Sequence, residues 1–260
     1  MPQLFEIRRQ IVDVCQRMYT KGWVAANDGN ISVRLDADRI IATPTLVSKG
    51  MVTEDDLVIC DMDGTKISGR TRPSSELAMH LMCYRERTDA TGCVHAHPPY
   101  STGYAVAGLP LDQCTLPEVV IAIGTVPLAE YGLPSTDELC EKIRPHIHES
   151  DAVLMANHGV VAVGRDLIEA YFRMETVEHL AKIDFVARHL GGARRFTEDE
   201  AKELLALRGN FGLENPNVGC VWDTESENSD EGQNGASQYT EMELVEEITK
   251  RVVEALAGRS

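Results

Sequence analysis

Two short motifs place three histidines where one cation could sit. His95-Ala96-His97 ends an apolar run and is followed by Pro98-Pro99, which stops a strand and prepares a new helix. In extended chain, residues i and i+2 point to one face, so both imidazoles can converge on one ion. Two polar loop residues at a strand end would be the plainer reading. Asn157-His158-Gly159 supplies a third imidazole between two apolar runs, where Gly159 would let the chain turn sharply and present the ring inward. Three neutral imidazoles with a vacant fourth position suit a catalytic zinc site; alone, His158 reads as an ordinary turn histidine. The other five histidines, 80, 146, 148, 179 and 189, fall in or near predicted helices and are expected to be surface or structural residues.

Glu76 follows Ser74 and Ser75 in the first turn of a predicted helix. A carboxylate there can be a helix-dipole or capping partner, or a general base beside a cation. The same helix start, with unpaired N–H groups and two hydroxyls, can cradle a phosphate. Gly29-Asn30 and Thr43-Pro44-Thr45 are turn-rich segments that could complete such a cradle.

These residues need a frame to hold them. Leu4, Ile7, Ile11, Val14, Cys15 and Met18 recur at helical spacing and Gly22 follows as a stop, which predicts an N-terminal amphipathic helix. β-Branched runs at 31–35, 39–43, 57–61 and 66–68 predict an antiparallel meander. Pro73-Ser74-Ser75 starts a helix to about Arg87. A strand at 91–95, a helix at 100–107, a buried run at 119–126, a helix at 137–146, strands at 152–155 and 160–163, and a long helix at 166–190 follow. Meander strands alternating with helices predict an α/β fold, a three-layer α/β/α sandwich with a mixed, largely antiparallel central sheet.

The chain has 260 residues, 43% of them hydrophobic, enough for one well-buried domain with appended material. A net charge of -16 with no basic patch argues against nucleic acid as a partner. No apolar run is long enough to span a bilayer, and charges break the N-terminus before a signal peptide could form. Seven cysteines without a CxxC pair suggest neither a disulfide framework nor a cysteine zinc module, so a reducing cytoplasm is expected. Residues 223–238 hold five acids, no base and no large apolar residue, which predicts a disordered acidic linker over 221–240. Met242, Val245, Ile248, Val252 and Leu256 then repeat at helical spacing, predicting an amphipathic helix within 241–260.

Taken in order, Gly29-Asn30-Ile31-Ser32, Thr43-Pro44-Thr45, Pro73-Ser74-Ser75-Glu76, His95-Ala96-His97-Pro98 and Asn157-His158-Gly159 resemble the class II aldolase/adducin family from about Phe5 to Leu190. Its small-sugar members include fuculose-phosphate aldolase and ribulose-phosphate 4-epimerase. The resemblance implies a homotetramer with sites near subunit interfaces, one Zn2+ per subunit on His95, His97 and His158, and Glu76 as acid/base, also touching the metal when substrate is absent. It implies phosphate contacts from Asn30, Thr45, Ser74 and Ser75. Glutamate at position 76, where the epimerases carry aspartate, favours an aldolase. That activity is cleavage of a deoxy-ketose 1-phosphate of the L-fuculose or L-rhamnulose type to dihydroxyacetone phosphate and lactaldehyde. Alternatives on the same site are a pentulose-phosphate epimerase or a methylthioribulose-phosphate-type dehydratase; an adducin-like non-catalytic interaction module is the alternative of another class. Two positions depart from fuculose-phosphate aldolase. Leu46 replaces a glycine after the second threonine, and Leu116 falls where a neighbouring subunit's tyrosine protonates the departing oxygen, leaving Glu118 and Tyr131 as substitutes. The tail resembles encapsulation peptides, implying that residues 241–258 dock on bacterial microcompartment shell or cargo proteins.

Overall fold

The computed structural model describes residues 3–211 and Cys220. The linker expected at 221–240 and the helix expected at 241–260 lie outside the described residues. Helix α1 (Leu4–Thr20) buries Ile7, Ile11, Val14, Cys15 and Met18, the stripe that the spacing predicts, and Gly22 adopts φ 71° just past its end. Strands β1 (Asn30–Arg34), β2 (Arg39–Ala42), β3 (Val58–Asp61) and β4 (Lys66–Ser68) form the meander. Helix α2 (Leu77–Glu86), strand β5 (Gly92–Ala96), helices α3 (Pro99–Ala107) and α4 (Pro117–Ala122), and strand β6 (Leu128–Ala129) follow. Helix α5 (Asp137–Ile147), strands β7 (Ala152–Met155) and β8 (Gly159–Gly164), and helices α6 (Leu167–His189) and α7 (Glu198–Ala206) complete the described part.

The eight strands make one sheet in the order β4-β3-β2-β1-β5-β8-β7-β6, antiparallel except for the parallel β6–β7 pair. Strand alternation sorts the core into two layers. Val94, Ala96, Val160 and Ala162 pack with α1, α3 and α6 on one face, while Cys93, Val161 and Val163 pack with α2 and α5 on the other. The α/β/α sandwich with a mixed, largely antiparallel sheet is therefore the observed architecture. At the opposite end of β7 from the β7–β8 turn, the fully buried Asp151 pairs with Arg87 (2.8 Å) and Arg173 (2.9 Å), joining the end of α2, the start of β7 and α6.

Three local expectations are corrected. The buried run at 119–126 is the short helix α4, entered through Pro117 and followed by β6, because apolar periodicity over so few residues does not distinguish helix from strand. Helix α7 was not anticipated; Thr197 caps it through a capping box with Glu200. The cysteine reading also fails in part: Cys114 and Cys220, 106 residues apart, are joined as a disulfide with Cα atoms 5.7 Å apart. Cys15, Cys60, Cys83, Cys93 and Cys140 are free and buried. A pair so distant in sequence leaves no spacing signal; the two cysteines share a small cluster with Val120 of α4 and Ala201 of α7. Arg208 ties the same arm down by donating to the carbonyls of Val120 and Ile121 at the end of α4. Among the described residues no helix is long and apolar enough to cross a membrane.

Candidate active site

The site forms where β5 and β8 meet the start of α2. His95 is the penultimate residue of β5, and His97 lies just past the strand end, where its backbone N–H donates to the carbonyl of Trp23. The β7–β8 turn carries His158. One ligand atom from each of His95, His97 and His158 lies within 4.8 Å of the others, so strand alternation and a turn converge three imidazoles as expected. His95 is fully buried, and its Nδ1 is 2.9 Å from the carbonyl of Val160. That geometry makes Nδ1 the protonated nitrogen and leaves Nε2 as a lone-pair donor toward the cluster. His97 Nε2 is 3.2 Å from His95 Nε2, while Asp28 faces the opposite ring nitrogen of His97 at 3.5 Å. Burial, and then the neighbouring rings, lower the His97 pKa to about 4, which keeps that ring neutral near pH 7.

A turn that brings His158 in so closely requires particular backbone. Asn157 sits at φ 57°, a left-handed conformation that asparagine tolerates better than most residues. Gly159 does not supply the turn as the sequence suggests; its need is steric. A β-carbon there would stand 2.5 Å from the carbonyl oxygen of Ala96 and 2.5 Å from Cδ2 of His97. Gly29 has both requirements, with φ 69° and a virtual β-carbon 2.9 Å from the carbonyl of His95.

Glu76 is not in the first turn of α2 but at its N-cap, and its side chain makes no capping bond. Instead its two carboxylate oxygens lie 3.3 Å from His95 Nε2 and 3.2 Å from His158 Nε2. The capping alternative is thus replaced by a carboxylate aimed into the histidine cluster. Burial alone would raise the Glu76 carboxyl, but His95 and His158 together pull it well below the usual carboxylate range. A divalent cation between the same groups would hold it ionised in the same way. The donor set fits zinc: three imidazoles, one with its outer nitrogen on a backbone carbonyl, and a carboxylate within reach.

Around this centre the proposed phosphate residues are gathered but not equivalent. Asn30, at the start of β1, donates from Nδ2 to Glu76 Oε2 at 2.8 Å, so in this state it orients the carboxylate. The Thr43–Val47 loop is tied to the α2 entry by bonds from Thr45 N to the Arg72 carbonyl and from Ser74 N to the Thr43 carbonyl. Those bonds bring Thr45, Ser74 and Ser75 to one edge. Ser74 Oγ accepts the N–H of Glu76 at 3.3 Å, and Ser75 is exposed. Leu46 keeps a left-handed backbone, φ 60°, and is 73% exposed. The loop thus has the conformation that a glycine would take without strain. Leu116 is half-buried before α4, while Glu118 and Tyr131 are exposed.

Sequence reasoning missed several supports. Asp28 at His97 carries only the weak signal of an acid beside Gly29-Asn30. Glu178, from the middle of α6, accepts the N–H groups of Tyr100 and Ser101 and the Ser101 hydroxyl, and so fixes the α3 start that follows His97. Behind the centre, Ser32, His80 and Tyr84 form a buried hydrogen-bonded set, with Ser32 Oγ 2.7 Å from His80 Nδ1 and 2.8 Å from Tyr84 Oη. Periodicity marked His80 as a helix residue but could not give its partner across the sheet.

Comparison with known proteins identifies the family. The family described as Class II Aldolase and Adducin N-terminal domain matches residues 9–185. An L-fuculose phosphate aldolase of Methanococcus maripaludis is 32% identical over 181 residues, 70% of this chain and 97% of that protein. A 3-oxo-tetronate 4-phosphate decarboxylase of Haemophilus influenzae is 31% identical over 202 residues, covering 75% and 93%. A 5-deoxy-D-ribulose 1-phosphate aldolase of Bacillus thuringiensis is 31% identical over 206 residues, covering 79% and 96%. A solved L-fuculose 1-phosphate aldolase superposes with a TM-score of 0.72 at 28% identity, covering 77% of this chain and 95% of that one. The chain therefore belongs to the class II aldolase and adducin family and, like its relatives named aldolases, is an enzyme of the lyase class.

Proposed function

We propose that this chain is a zinc-dependent aldolase that cleaves a deoxy-ketose 1-phosphate, of the L-fuculose or L-rhamnulose type, to dihydroxyacetone phosphate and lactaldehyde. The observation that carries the reading is Glu76, whose two oxygens reach His95 and His158 at 3.3 and 3.2 Å inside the three-histidine cluster. His95, His97 and His158 would hold the metal, which supplies Lewis acidity toward the carbonyl and adjacent hydroxyl oxygens of the ketose when bound. Asp28 and the Val160 carbonyl fix the orientation of His97 and His95. Asn30 steadies Glu76 until substrate displaces the carboxylate from the histidines. Once displaced from the histidines, the Glu76 carboxylate takes a proton from solvent and passes it to the substrate carbon that loses its bond to the departing aldehyde, returning to the ionised form. The proton released from the hydroxyl of the departing fragment goes to a group outside this set, with Glu118 and Tyr131 as the candidates. Thr45, Ser74 and Ser75, with the Asn30 amide, bind the phosphate through neutral donors.

The 31% identical relative named a decarboxylase supports a second reading, loss of carbon dioxide from a 3-oxo acid phosphate at the same centre. One experiment separates them. The zinc-loaded protein is incubated with L-fuculose, L-rhamnulose and 5-deoxyribulose 1-phosphates and with 3-oxo-tetronate 4-phosphate, scoring the released aldehyde and carbon dioxide, because both reactions leave dihydroxyacetone phosphate. Carbon dioxide from the 3-oxo acid with no aldehyde from any ketose 1-phosphate overturns the aldolase reading. Homotetramer assembly belongs to the same proposal and is measured by light scattering of the full chain. Residues 241–258 are proposed to dock this enzyme on microcompartment shell or cargo proteins, on the strength of their apolar spacing beyond an acidic stretch. Deleting residues 221–260 should abolish co-purification with shells while aldol cleavage persists, and retained co-purification refutes the docking.

A further inference from the structure

The phosphate reading leaves a charge problem, since Asn30, Thr45, Ser74 and Ser75 are all neutral and the chain carries a net charge of -16. A phosphate dianion gathered only by neutral donors in so acidic a protein is poorly compensated. One buried cation lies between the loops that carry Asn30 and Thr45. Lys49 is 1% exposed, among the largest fully buried side chains. Its ammonium donates to the carbonyl of Asn27 at 3.1 Å and to that of Val47 at 3.0 Å. Among the described residues no carboxylate lies in ion-pair contact with it. Both bonds go to neutral acceptors, although an ammonium has three protons to donate.

The two carbonyls belong to the two loops that matter. Asn27 precedes Asp28, Gly29 and Asn30, while Val47 follows Thr45 and Leu46. One ammonium therefore clasps the loop that presents Asn30 to the loop that presents Thr45. Its own seat is rigid. Gly50 accepts a bond from Gln16 of α1, and a β-carbon at Gly50 would meet the Tyr19 ring at 2.6 Å, so the chain beside Lys49 is pressed onto α1. Burial disfavours the charged form of Lys49, while Cys15, Asp28 and Glu76 oppose that effect through space. A buried cation without a contacting carboxylate is costly unless an anion completes it. Arg72, the other basic residue beside this loop, is exposed, so water screens it.

We infer that Lys49 is the buried counter-charge and positioning residue of the phosphate subsite, holding the Asn30 and Thr45 loops together and offsetting the charge of the phosphate they bind. This rests on the phosphate reading of Asn30, Thr45, Ser74 and Ser75. Lys49 acts through those loops and through its charge, without a step of its own in the reaction.

The test uses the zinc-loaded full chain with inorganic phosphate as probe, measured by calorimetric binding and by inhibition of aldol cleavage. Lys49→Met removes charge and donors, whereas Lys49→Gln removes the charge but keeps an amide donor. Both should weaken inorganic phosphate binding about tenfold, the effect of one unit charge acting through a partly screened interior. Both should raise the KM for the phosphorylated ketose by a similar factor, with kcat changed less than about threefold and zinc content unchanged. If Lys49→Gln binds phosphate like the wild type, Lys49 only staples loops and the inference falls; this variant decides the matter even where Lys49→Met does not fold. Ser75→Ala is the control for the underlying reading. Weakened phosphate binding in Ser75→Ala with none in Lys49→Gln overturns the Lys49 inference alone. No change in either overturns the subsite as well.

Discussion

Gly159→Ala should damage the proposed metal site without replacing a ligand. The virtual β-carbon at position 159 stands 2.5 Å from the Ala96 carbonyl oxygen and 2.5 Å from His97 Cδ2, whereas ordinary contact begins near 3.4 Å. The missing distance is 3.4 - 2.5, about 0.9 Å, on both sides at once. Neither neighbour yields easily. Ala96 is held in the β5–β8 ladder, with Ala96 opposite Val160, and the His97 backbone is bonded to Trp23. Relief must therefore come from moving His158 away from His95 and His97. Overpacking of this kind costs about 1–3 kcal/mol of stability, and a misplacement near 1 Å in catalytic geometry costs on the order of 10²-fold in rate. The assay has three readings: thermal unfolding, zinc retained against a graded chelator, and kcat. We expect a modestly lowered Tm, zinc lost at lower chelator concentration, and turnover reduced about 100-fold. Wild-type zinc retention and turnover in a folded Gly159→Ala protein would refute the claim that this close approach sets the ligand geometry.

Glu76→Gln should keep zinc yet lose about 10²–10⁴-fold in turnover, because shape is retained while the proton to be delivered is lost; near-normal turnover excludes the acid/base role. Leu46→Gly should stabilise the protein by about 0.5–1 kcal/mol, since relief of a left-handed leucine, roughly 1–2 kcal/mol, exceeds the added freedom of glycine in the unfolded chain; a loss of Tm would show that the exposed leucine side chain is itself held. His80 is buried neutral, with burial lowering its pKa from 6.5 to about 3. A depressed folded value means the unfolded chain takes up the proton first, so stability is full above about pH 6.5 and falls as pH drops toward 3. His80→Gln should flatten that decline in a Tm profile between pH 6.5 and 4, and an unchanged slope contradicts the assignment.

Much of this protein is legible in its residues because its strongest signals are local. The α1 stripe from Ile7 to Met18 and the β-branched runs of β1 to β3 state their own periods, and two histidines two apart on a strand must share a face. Pro73-Ser74-Ser75 announces a helix within a residue or two of where α2 begins. What remained hidden depends on segments far apart in sequence. Glu76 could be read as a cap or as an acid until β5 and β8 brought His95 and His158 against it, across separations of 19 and 82 residues. Gly159 was read as a turn residue, when the clash that demands a glycine comes from Ala96 and His97 on the neighbouring strand. Lys49 carries no motif, and its meaning lies in two backbone carbonyls contributed by different loops. Cys114 and Cys220 have no spacing to read, because 106 residues separate them. Periodicity and turn chemistry are encoded by neighbours in the chain, whereas close approach, burial of charge and convergence of ligands exist only after the sheet has closed.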